Sequence, residues 1–374
     1  MIKPRILITG GAGFIGSYIA DRFLAEGWAV RAIDNLDPQV HGGVSRPAYL
    51  DERVELIRAD ICDRAAVVEA IRDVDVLSHH AANVGVGQSM YEIERYARTN
   101  ALGCSIVLDV VANHKHSIKK MMVASSMSIY GEGLYECAAH GRFASETRSA
   151  ARLRAHQWEQ PCPVCGADLA PLPTPESKVL DPASVYAIHK RDHEELFRVV
   201  GRAYGIPVVA FRYFNVYGAR QALSNPYTGV AAIFISRLLN RKPPMIFEDG
   251  RQRRDFVSVR DVAEVNWLAA GNAACDGEIF NVGSGASISV LELVDVLEDA
   301  MGIRIDPEVT CKYREGDVRH CFADISKLTS RLGWRPMGSL QNDAGELAQW
   351  VQSQVAIDYV DLARGALETR GLAR

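Results

Sequence analysis

Apolar residues in the first third of the chain follow two spacings, one typical of strands and one typical of helices. Short runs rich in β-branched residues predict strands that are buried on both faces, at residues 5–8, 29–33, 54–59, 74–77 and 119–125. Apolar residues at intervals of three and four predict helices over 15–24, 65–71 and 91–113. The repeated strand–helix–strand order predicts the α/β class, with a Rossmann-like, doubly wound parallel sheet.

Both spacings stop after residue 131 and resume near residue 181. Residues 132–178, which we call the insertion, are rich in Arg, Ala, Cys, Pro and His and predict a loop-rich segment. Asp181 followed by Pro182 offers an N-cap and a first-turn proline, so a helix is expected over 181–204, before a strand at 206–213. We therefore expect a Rossmann-like domain over 1–215, interrupted by the insertion. Residues 216–374 should mainly form a smaller C-terminal lobe that binds a substrate.

A glycine-rich turn joins the first predicted strand to the first predicted helix. Gly10, Gly13 and Gly16 fall at every third residue, which allows a tight turn and brings a helix N-terminus close to a pyrophosphate. Asp34 ends the next strand, where a carboxylate can accept hydrogen bonds from both hydroxyls of a ribose. The same carboxylate would repel a 2′-phosphate, so the sequence predicts NAD rather than NADP.

The composition and charge of the chain exclude several kinds of partner and location. The chain has 374 residues, 48% of them hydrophobic, which is enough for a large core. The net charge of −4 comes from 42 basic and 46 acidic residues spread along the chain, so neither nucleic acid nor an anionic membrane is an expected partner. Most of the eight cysteines are isolated in apolar segments, as in a reducing compartment. Without a signal-peptide pattern or a membrane-length apolar run, we expect a cytoplasmic protein.

A tyrosine and a lysine, Tyr186 and Lys190, lie one helical turn apart on the helix expected over 181–204. A phenol with its ordinary pKa near ~10 is a poor base at neutral pH, but a nearby ammonium and a nicotinamide ring would stabilise the phenolate. Tyr186 could then remove a hydroxyl proton, while Lys190 also holds the nicotinamide ribose. Alone, such a pair usually lies on a solvated face, but after a nucleotide-binding turn it indicates a catalytic site.

These motifs resemble the extended short-chain dehydrogenase/reductase family, in its branch of NAD-dependent nucleotide-sugar epimerases and dehydratases. The resemblance covers nearly all of the chain outside the insertion and is carried by residues 9–16, 34–35, 60–61, 80–82, 123–131 and 212–218. It implies a set of NAD-contacting residues from both halves of the sheet. They are Gly10, Gly13, Phe14, Ile15, Gly16, Asp34, Asn35, Asp60, Ile61, Ala81, Ala82, Asn100, Ser125, Tyr186, Lys190 and Tyr213.

The resemblance also implies a catalytic hydroxyl and a substrate site. Counting back five residues from Gly131 selects Ser126 as the family's catalytic Ser or Thr, beside Tyr186 and Lys190 and in contact with the sugar. Asn215, Arg254 and Arg314 match the family positions that hold the substrate's diphosphate, and a guanidinium pairs bidentately with phosphate oxygens. Family members form homodimers through two long helices, here 91–113 and 181–204.

The residues after Ser126 bear on the reaction. Met127 and Ser128 stand where the family's dehydratases carry Asp-Glu and its decarboxylases carry a Glu, and neither can act as a general acid or base. This favours epimerisation at C4 of a nucleotide-diphosphate sugar, through a transient 4-keto sugar. A sugar-nucleotide reductase or dehydrogenase, a dehydratase of the same family, and a catalytically silent NAD-sensing protein stay as alternatives.

Cysteine and histidine pairs occur inside the insertion. Cys137 and His140 form one pair with a two-residue spacer, and Cys162 and Cys165 form another, which predicts a closed tetrahedral zinc site. His156 is an alternative to His140 as the fourth ligand. Such an insertion resembles that of sugar-nucleotide epimerases acting on 6-deoxyhexoses such as L-rhamnose, so a dTDP-6-deoxyhexose is a candidate substrate. We expect the insertion to act as a zinc-stapled lid beside the sugar pocket.

Overall fold

A seven-stranded parallel sheet forms the centre of the molecule, in a computed structural model that describes residues 3–354 and 356–374. The strands of the described residues are β1 (Arg5–Thr9), β2 (Ala29–Asp34), β3 (Glu55–Arg58), β4 (Val76–His79), β5 (Lys120–Ser126), β6 (Leu134–Cys137), β7 (Gly141–Ala144), β8 (Ala170–Leu172), β9 (Val208–Tyr213), β10 (Asn215–Tyr217), β11 (Met245–Ile246), β12 (Arg253–Arg254), β13 (Phe256–Ser258), β14 (Ile279–Val282), β15 (Ile288–Ser289), β16 (Glu308–Val309) and β17 (His320–Cys321). The central sheet has the order β3-β2-β1-β4-β5-β9-β14 with every pair parallel, which confirms the predicted Rossmann-like α/β class.

Helices cover both faces of this sheet. They are α1 (Phe14–Ala25), α2 (Pro38–His41), α3 (Arg64–Ala70), α4 (Val86–Ser89), α5 (Ile93–Tyr96), α6 (Cys104–Asn113), α7 (Ala150–Arg154), α8 (Val185–Tyr204), α9 (Val230–Leu239), α10 (Val259–Ala270), α11 (Val290–Met301), α12 (Ser326–Leu332), α13 (Leu340–Gln352) and α14 (Val360–Thr369). The helix expected over 91–113 contains a π-helical segment, Ala97–Gly103, between α5 and α6. The predicted N-cap at Asp181 is wrong: Ser184 caps α8 by accepting a hydrogen bond from the Ala187 N–H at 3.1 Å.

Strand β1 shows how the two faces are filled. Ile6 and Ile8 point into a buried layer that includes residues of α1 and α10, whereas Leu7 points into the opposite layer, with residues of α3, α6 and α8. Full burial of one such side chain contributes roughly 1.5–3 kcal/mol. With both faces covered, the crevice at the carboxyl ends of the strands is left for a ligand. Among the described residues, none of the helices is long and apolar enough to cross a membrane.

The C-terminal lobe is built around α9, α11 and α13, which meet through buried residues such as Phe234, Leu293 and Leu347. The predicted division at residue 215 does not separate the two parts cleanly. Helix α10 packs against α1, and β14 pairs with β9 as the last strand of the central sheet. Residues 259–282 therefore belong to the Rossmann-like domain, although they follow the start of the lobe in sequence.

The insertion has more regular structure than the loops expected from its composition. Strands β7, β6 and β8 form a small antiparallel sheet, and the short helix α7 follows β7. Each strand has only three or four residues, so a period-two pattern has little length in which to be detected.

Candidate active site

A cavity of about 600 Å³ is lined by the ends of the central strands and by residues of the C-terminal lobe. It brings together all of the predicted catalytic, cofactor-binding and substrate-binding residues except Asn100. Those that line it are Gly10, Gly13, Phe14, Ile15, Gly16, Asp34, Asn35, Asp60, Ile61, Ala81, Ala82, Ser125, Ser126, Tyr186, Lys190, Tyr213, Asn215, Arg254 and Arg314. Residues far apart in the sequence thus share one site.

Asn100 lies behind the cavity wall. Its side chain is fully buried and is used by one neighbour: Oδ1 accepts the Asn83 N–H at 2.8 Å, and Nδ2 donates to the Asn83 carbonyl at 3.0 Å. Asn83 itself lines the cavity. The predicted direct contact of Asn100 with a cofactor does not fit this position, because its amide is committed to holding Asn83.

The glycine turn leaves no room for side chains. Gly10 has a φ of +69°, and a Cβ there would lie 2.8 Å from the backbone nitrogen of Ala81. A Cβ on Gly16 would lie 2.3 Å from the Gly10 carbonyl oxygen. The N-cap of α1 is Gly13, which offers no side chain to the first-turn N–H groups, and Phe14 beside it lines the cavity. Free N–H groups at a helix N-terminus favour a phosphate, so this cradle fits the pyrophosphate of a dinucleotide.

Asp34 is positioned by backbone N–H groups. Its Oδ2 accepts the Ala12 N–H at 3.1 Å, and its Oδ1 accepts the Leu36 N–H at 2.9 Å. A carboxylate has about four acceptor sites, so it can still receive two ribose hydroxyls. Asp60 is fixed in a similar way, since it accepts the Cys62 N–H at 2.8 Å and the Asn35 amide at 3.4 Å. Both acids fit the nucleoside end of a dinucleotide.

Ser126, Tyr186 and Lys190 line the same cavity, and the Tyr186 phenol is hydrogen-bonded with Ser126. The Lys190 ammonium is buried and donates to the Ala124 carbonyl at 2.9 Å. Burial lowers the pKa of Lys190 to about 8. Burial also raises the pKa of Tyr186 to about 12, against a smaller lowering by its hydrogen bond with Ser126. The expected lowering of the Tyr186 pKa by Lys190 is therefore not found in the polypeptide alone, where burial of the phenol dominates and the lowering comes from Ser126.

Ser128 was missed as a site residue. Its backbone N–H and its hydroxyl both donate to the Ser126 oxygen, at 3.2 and 3.0 Å. These bonds fix the Ser126 rotamer and leave its own proton free to be donated into the cavity. The signal was in the sequence, since a serine accepts hydrogen bonds from the backbone two residues on in common turns.

Two guanidinium groups mark the side of the cavity formed by the C-terminal lobe. Arg254 donates to the carbonyls of Val318 and Arg319, the latter at 2.9 Å. Arg314 donates to Asp317 at 2.7 Å and lies 4.5 Å from the centre of the Phe247 ring. This side is also lined by residues that the sequence did not indicate, among them Phe247, Val360, Ala363, Arg364 and Leu367. An amphipathic helix such as α14 gives the same pattern whether it covers a core or a ligand.

The four predicted metal ligands come together away from the cavity. The sulfur of Cys137 lies 3.8 Å from that of Cys165 and 3.5 Å from His140 Nδ1, which is also 3.5 Å from the sulfur of Cys162. All four donor atoms lie within 4.8 Å of one another. The alternative ligand, His156, instead stacks on Trp158 with ring centres 5.1 Å apart.

A Rossmann-like sheet with a glycine turn, and a serine, a tyrosine and a lysine in one cavity, define an extended short-chain dehydrogenase/reductase. Comparison with known families narrows this class. The model of the NAD dependent epimerase/dehydratase family matches residues 6–151 and 163–283, and the chain belongs to this family.

Named relatives agree with this membership. The chain is 34% identical over 353 residues to a dTDP-L-rhamnose 4-epimerase from Burkholderia thailandensis, covering 94% of this chain and 96% of that protein. Among solved structures, it is similar to a UDP-N-acetylglucosamine 4-epimerase from Methanobrevibacter ruminantium, with a TM-score of 0.75, 30% identity and coverage of 95% and 100%. A UDP-glucose 4-epimerase from Thermus thermophilus, in complex with NAD, gives a TM-score of 0.74 at 29% identity, with coverage of 94% and 100%.

Proposed function

We propose that the chain catalyses NAD-dependent epimerisation at C4 of a nucleotide-diphosphate sugar. The observation that carries this proposal is the content of the single cavity: a dinucleotide cradle, the Ser126–Tyr186–Lys190 group, and the guanidinium groups of Arg254 and Arg314. A nucleotide-diphosphate sugar fits this arrangement, with its sugar beside Ser126 and Tyr186 and its diphosphate at the two arginines.

Each catalytic side chain has a distinct role in the proposed reaction. Bound NAD would supply the group that reversibly accepts the hydride from C4 of the sugar. Tyr186 removes the proton of the 4-hydroxyl and returns it when the 4-keto sugar is reduced on its other face. Ser126, oriented by Ser128, donates a hydrogen bond to the same sugar oxygen. Lys190 holds the ribose next to the nicotinamide and adds the positive charge that favours a phenolate.

The distribution of acids in the cavity argues against a dehydratase. Among the described lining residues, the carboxylates are those of Asp34, Asp37, Asp60, Glu315 and Asp317. The first three belong to the dinucleotide end and the last two follow Arg314. Elimination of water from the sugar needs an acid and a base beside the reacting carbons, whereas epimerisation needs only the tyrosine and the cofactor.

For the substrate we propose a dTDP-linked 6-deoxyhexose. Val84, Val86 and Met127 line the cavity, and the segment that carries the two valines is linked to the catalytic helix, because Ser89 accepts the Tyr186 N–H at 3.1 Å. Apolar side chains there suit a methyl group at C6 better than a hydroxymethyl group. The similarity to a dTDP-L-rhamnose 4-epimerase supports the same choice.

The proposed reaction is tested with purified protein and a small substrate panel. We expect the protein to release NAD on denaturation and to invert C4 of dTDP-L-rhamnose, followed by proton NMR, without added cofactor. UDP-glucose and UDP-N-acetylglucosamine complete the panel and test the choice of sugar. Activity that requires added NADPH, or net oxidation of the sugar, would replace the epimerase with a reductase or dehydrogenase.

We also propose that the insertion holds a structural zinc ion. Tetrahedral zinc, with bonds of about 2.3 Å to sulfur and 2.0–2.1 Å to nitrogen, places neighbouring ligands about 3.5–3.8 Å apart. The three distances among Cys137, His140, Cys162 and Cys165 given above lie in this range. Each pair lies in a tight turn, and Gly166, with a φ of +75°, allows the second one to close by donating to the Cys162 carbonyl at 2.9 Å.

Elemental analysis should find about one zinc per chain. Cys162→Ser should lose the metal, whereas Cys311→Ser, at an exposed cysteine outside the insertion, should retain it. Protein purified from zinc-supplemented medium but free of metal would refute the zinc site.

A homodimer is the third part of the proposal. Leu102, Ile188 and Val199, which lie on the π-helical segment and on α8, have exposed fractions of 49%, 46% and 53%. These are the two helices through which family members are expected to pair. Light scattering should give twice the chain mass, and Val199→Glu should shift it toward the monomer. Val179→Glu, at a position 72% exposed outside these helices, is the control.

A further inference from the structure

The insertion is joined to the C-terminal lobe by a largely buried group of charged side chains, which we call the charge cluster. Its members are Glu132, Arg148 and Glu159 of the insertion and Glu248, Asp249 and Arg319 of the lobe. The side chains of Glu132, Arg148, Glu248 and Arg319 are each 2% exposed or less. Ionised groups so deeply buried persist only when each one is paired, so the cluster fixes its members in one geometry.

Arg148 connects the insertion to two segments that contact Arg314. Its Nη2 donates to Glu248 Oε1 at 2.7 Å and to the Asp317 carbonyl at 3.2 Å. Glu248 directly follows Phe247, the ring on which the Arg314 guanidinium lies. Asp317 accepts the Arg314 Nε–H at 2.7 Å. One insertion arginine therefore holds two segments that place Arg314.

Glu132 makes the corresponding link to Arg254. Its two carboxylate oxygens accept the Arg319 N–H at 2.9 and 3.0 Å, and Oε1 also accepts Arg148 Nε at 3.1 Å. The carbonyl of the same Arg319 accepts Arg254 Nη1 at 2.9 Å. The Arg319 side chain is fixed in turn by Asp249, at 2.6 Å. Glu132 thus sets the backbone that orients the second guanidinium.

The insertion does not reach the cavity itself. All of residues 132–178 are described by the structure, and none of them is among the residues that line the cavity. The lid expected from the sequence is therefore wrong in its placement, because the insertion packs against the outer side of the segments that carry the arginines. Any effect of the insertion on a ligand has to pass through these segments.

We infer that the insertion is a positioning module for the diphosphate end of the site, with Arg148 and Glu132 as its positioning residues. This inference rests on the proposed function, in which Arg254 and Arg314 bind the diphosphate of the substrate. Guanidinium groups held in advance lose less conformational freedom on binding, so the module raises affinity for the nucleotide without touching it.

The test is Arg148→Met in the full-length protein with its cofactor, titrated calorimetrically with dTDP. We expect the Kd for dTDP to rise about tenfold, since coupled charges typically contribute this much. The KM for the nucleotide sugar should rise with it, while kcat and NAD content change little. Arg142→Met is the matched control, because Arg142 is an insertion arginine whose side chain is 72% exposed. Arg148→Lys keeps the charge but not the fork and should recover part of the affinity.

A double-mutant cycle separates positioning from a general loss of stability. If Arg148 acts through Arg314, whose segments it holds, the loss of dTDP affinity in Arg148→Met combined with Arg314→Met should be smaller than the sum of the single losses. If Arg148→Met does not fold, Glu132→Gln replaces it. The amide has one acceptor oxygen where the carboxylate has two, and it has no charge to pair with Arg148, so the Kd for dTDP should again rise. Additive losses, or unchanged dTDP affinity in a folded variant of either residue, would overturn the inference.

The two proposals fail in different ways. A wild-type protein that binds dTDP but turns over no nucleotide sugar would refute the epimerase, while weaker dTDP binding in Arg148→Met would still support positioning. Wild-type turnover combined with unchanged KM and Kd in Arg148→Met would refute positioning and leave the epimerase in place.

Discussion

The two ends of the cavity are held in shape by different kinds of interaction. At the dinucleotide end, backbone contacts close around Gly10 and Gly16, and Asp34 is fixed by backbone N–H groups. At the end proposed to bind the diphosphate, which we call the diphosphate end, Arg254 and Arg314 depend on segments that are themselves held by the charge cluster. The first end is set by sterics close to each residue, and the second by buried charges from distant parts of the chain. The cofactor end is therefore fixed locally, whereas we expect changes outside the substrate end to alter its affinity.

The largest expected effect comes from a residue between the two ends. Tyr186→Phe removes the proton acceptor and should lower turnover on the order of 10³-fold or more. NAD content and dTDP affinity should stay unchanged, because neither end depends on the phenolic oxygen. Ser126→Ala should have a smaller effect, on the order of 10² in kcat, because Ser126 orients the sugar and shares the proton. A fully active Tyr186→Phe enzyme would remove the proposed mechanism.

The next effect breaks the dinucleotide end alone. A Cβ on Gly16 would lie 2.3 Å from the Gly10 carbonyl oxygen and 2.7 Å from Gly11 Cα, both rigid backbone atoms. Gly16→Ala should therefore open the turn and lose bound NAD, measured by releasing and quantifying the dinucleotide, while dTDP still binds. Gly345→Ala in α13 is the control, since no described atom lies near a Cβ there. Retention of NAD by Gly16→Ala would show that the turn tolerates a side chain.

The smallest effect concerns Lys190, a buried cation with no carboxylate partner among the described residues, in contrast to Arg148, which pairs with two. Burial lowers the pKa of Lys190 to about 8 from its ordinary 10.5, so the unfolded chain binds more protons between these values. Stability should rise with pH across this window, by on the order of 3 kcal/mol at most. The melting temperature of Lys190→Met relative to wild type, both without NAD, should be highest at pH 7 and fall toward pH 10. A pH-independent difference would contradict this.

Local spacing explains what the sequence could predict. The glycine turn, Asp34 and the Tyr186–Lys190 pair each lie within one helical turn or one strand–helix unit. Their relative positions therefore follow from the spacing of residues in short segments. Cys162 and Cys165, which we propose as metal ligands, form a local pair of the same kind. The central sheet followed from the alternation of strands and helices, because parallel strands and right-handed crossovers leave few other topologies.

Long-range contacts explain what the sequence could not predict. Glu132 and Arg319 are 187 residues apart, and no periodicity links them. For the same reason, the position of the insertion behind the arginine segments, and that of α14 at the cavity, required the structure. The error at Asp181 has a local cause, since Ser184 is an equally good N-cap three residues later.

The sequence distance within the charge cluster also has a consequence for folding. Arg148 pairs with Glu248 across 100 residues, so the insertion gains its partners in the C-terminal lobe only after the lobe has been made and has docked. Contacts of such separation form late, after the entropy of closing a long loop has been overcome. The diphosphate end is therefore expected to assemble last during folding. Its backbone amides should be among the first of the cavity to exchange with solvent when the native state opens locally.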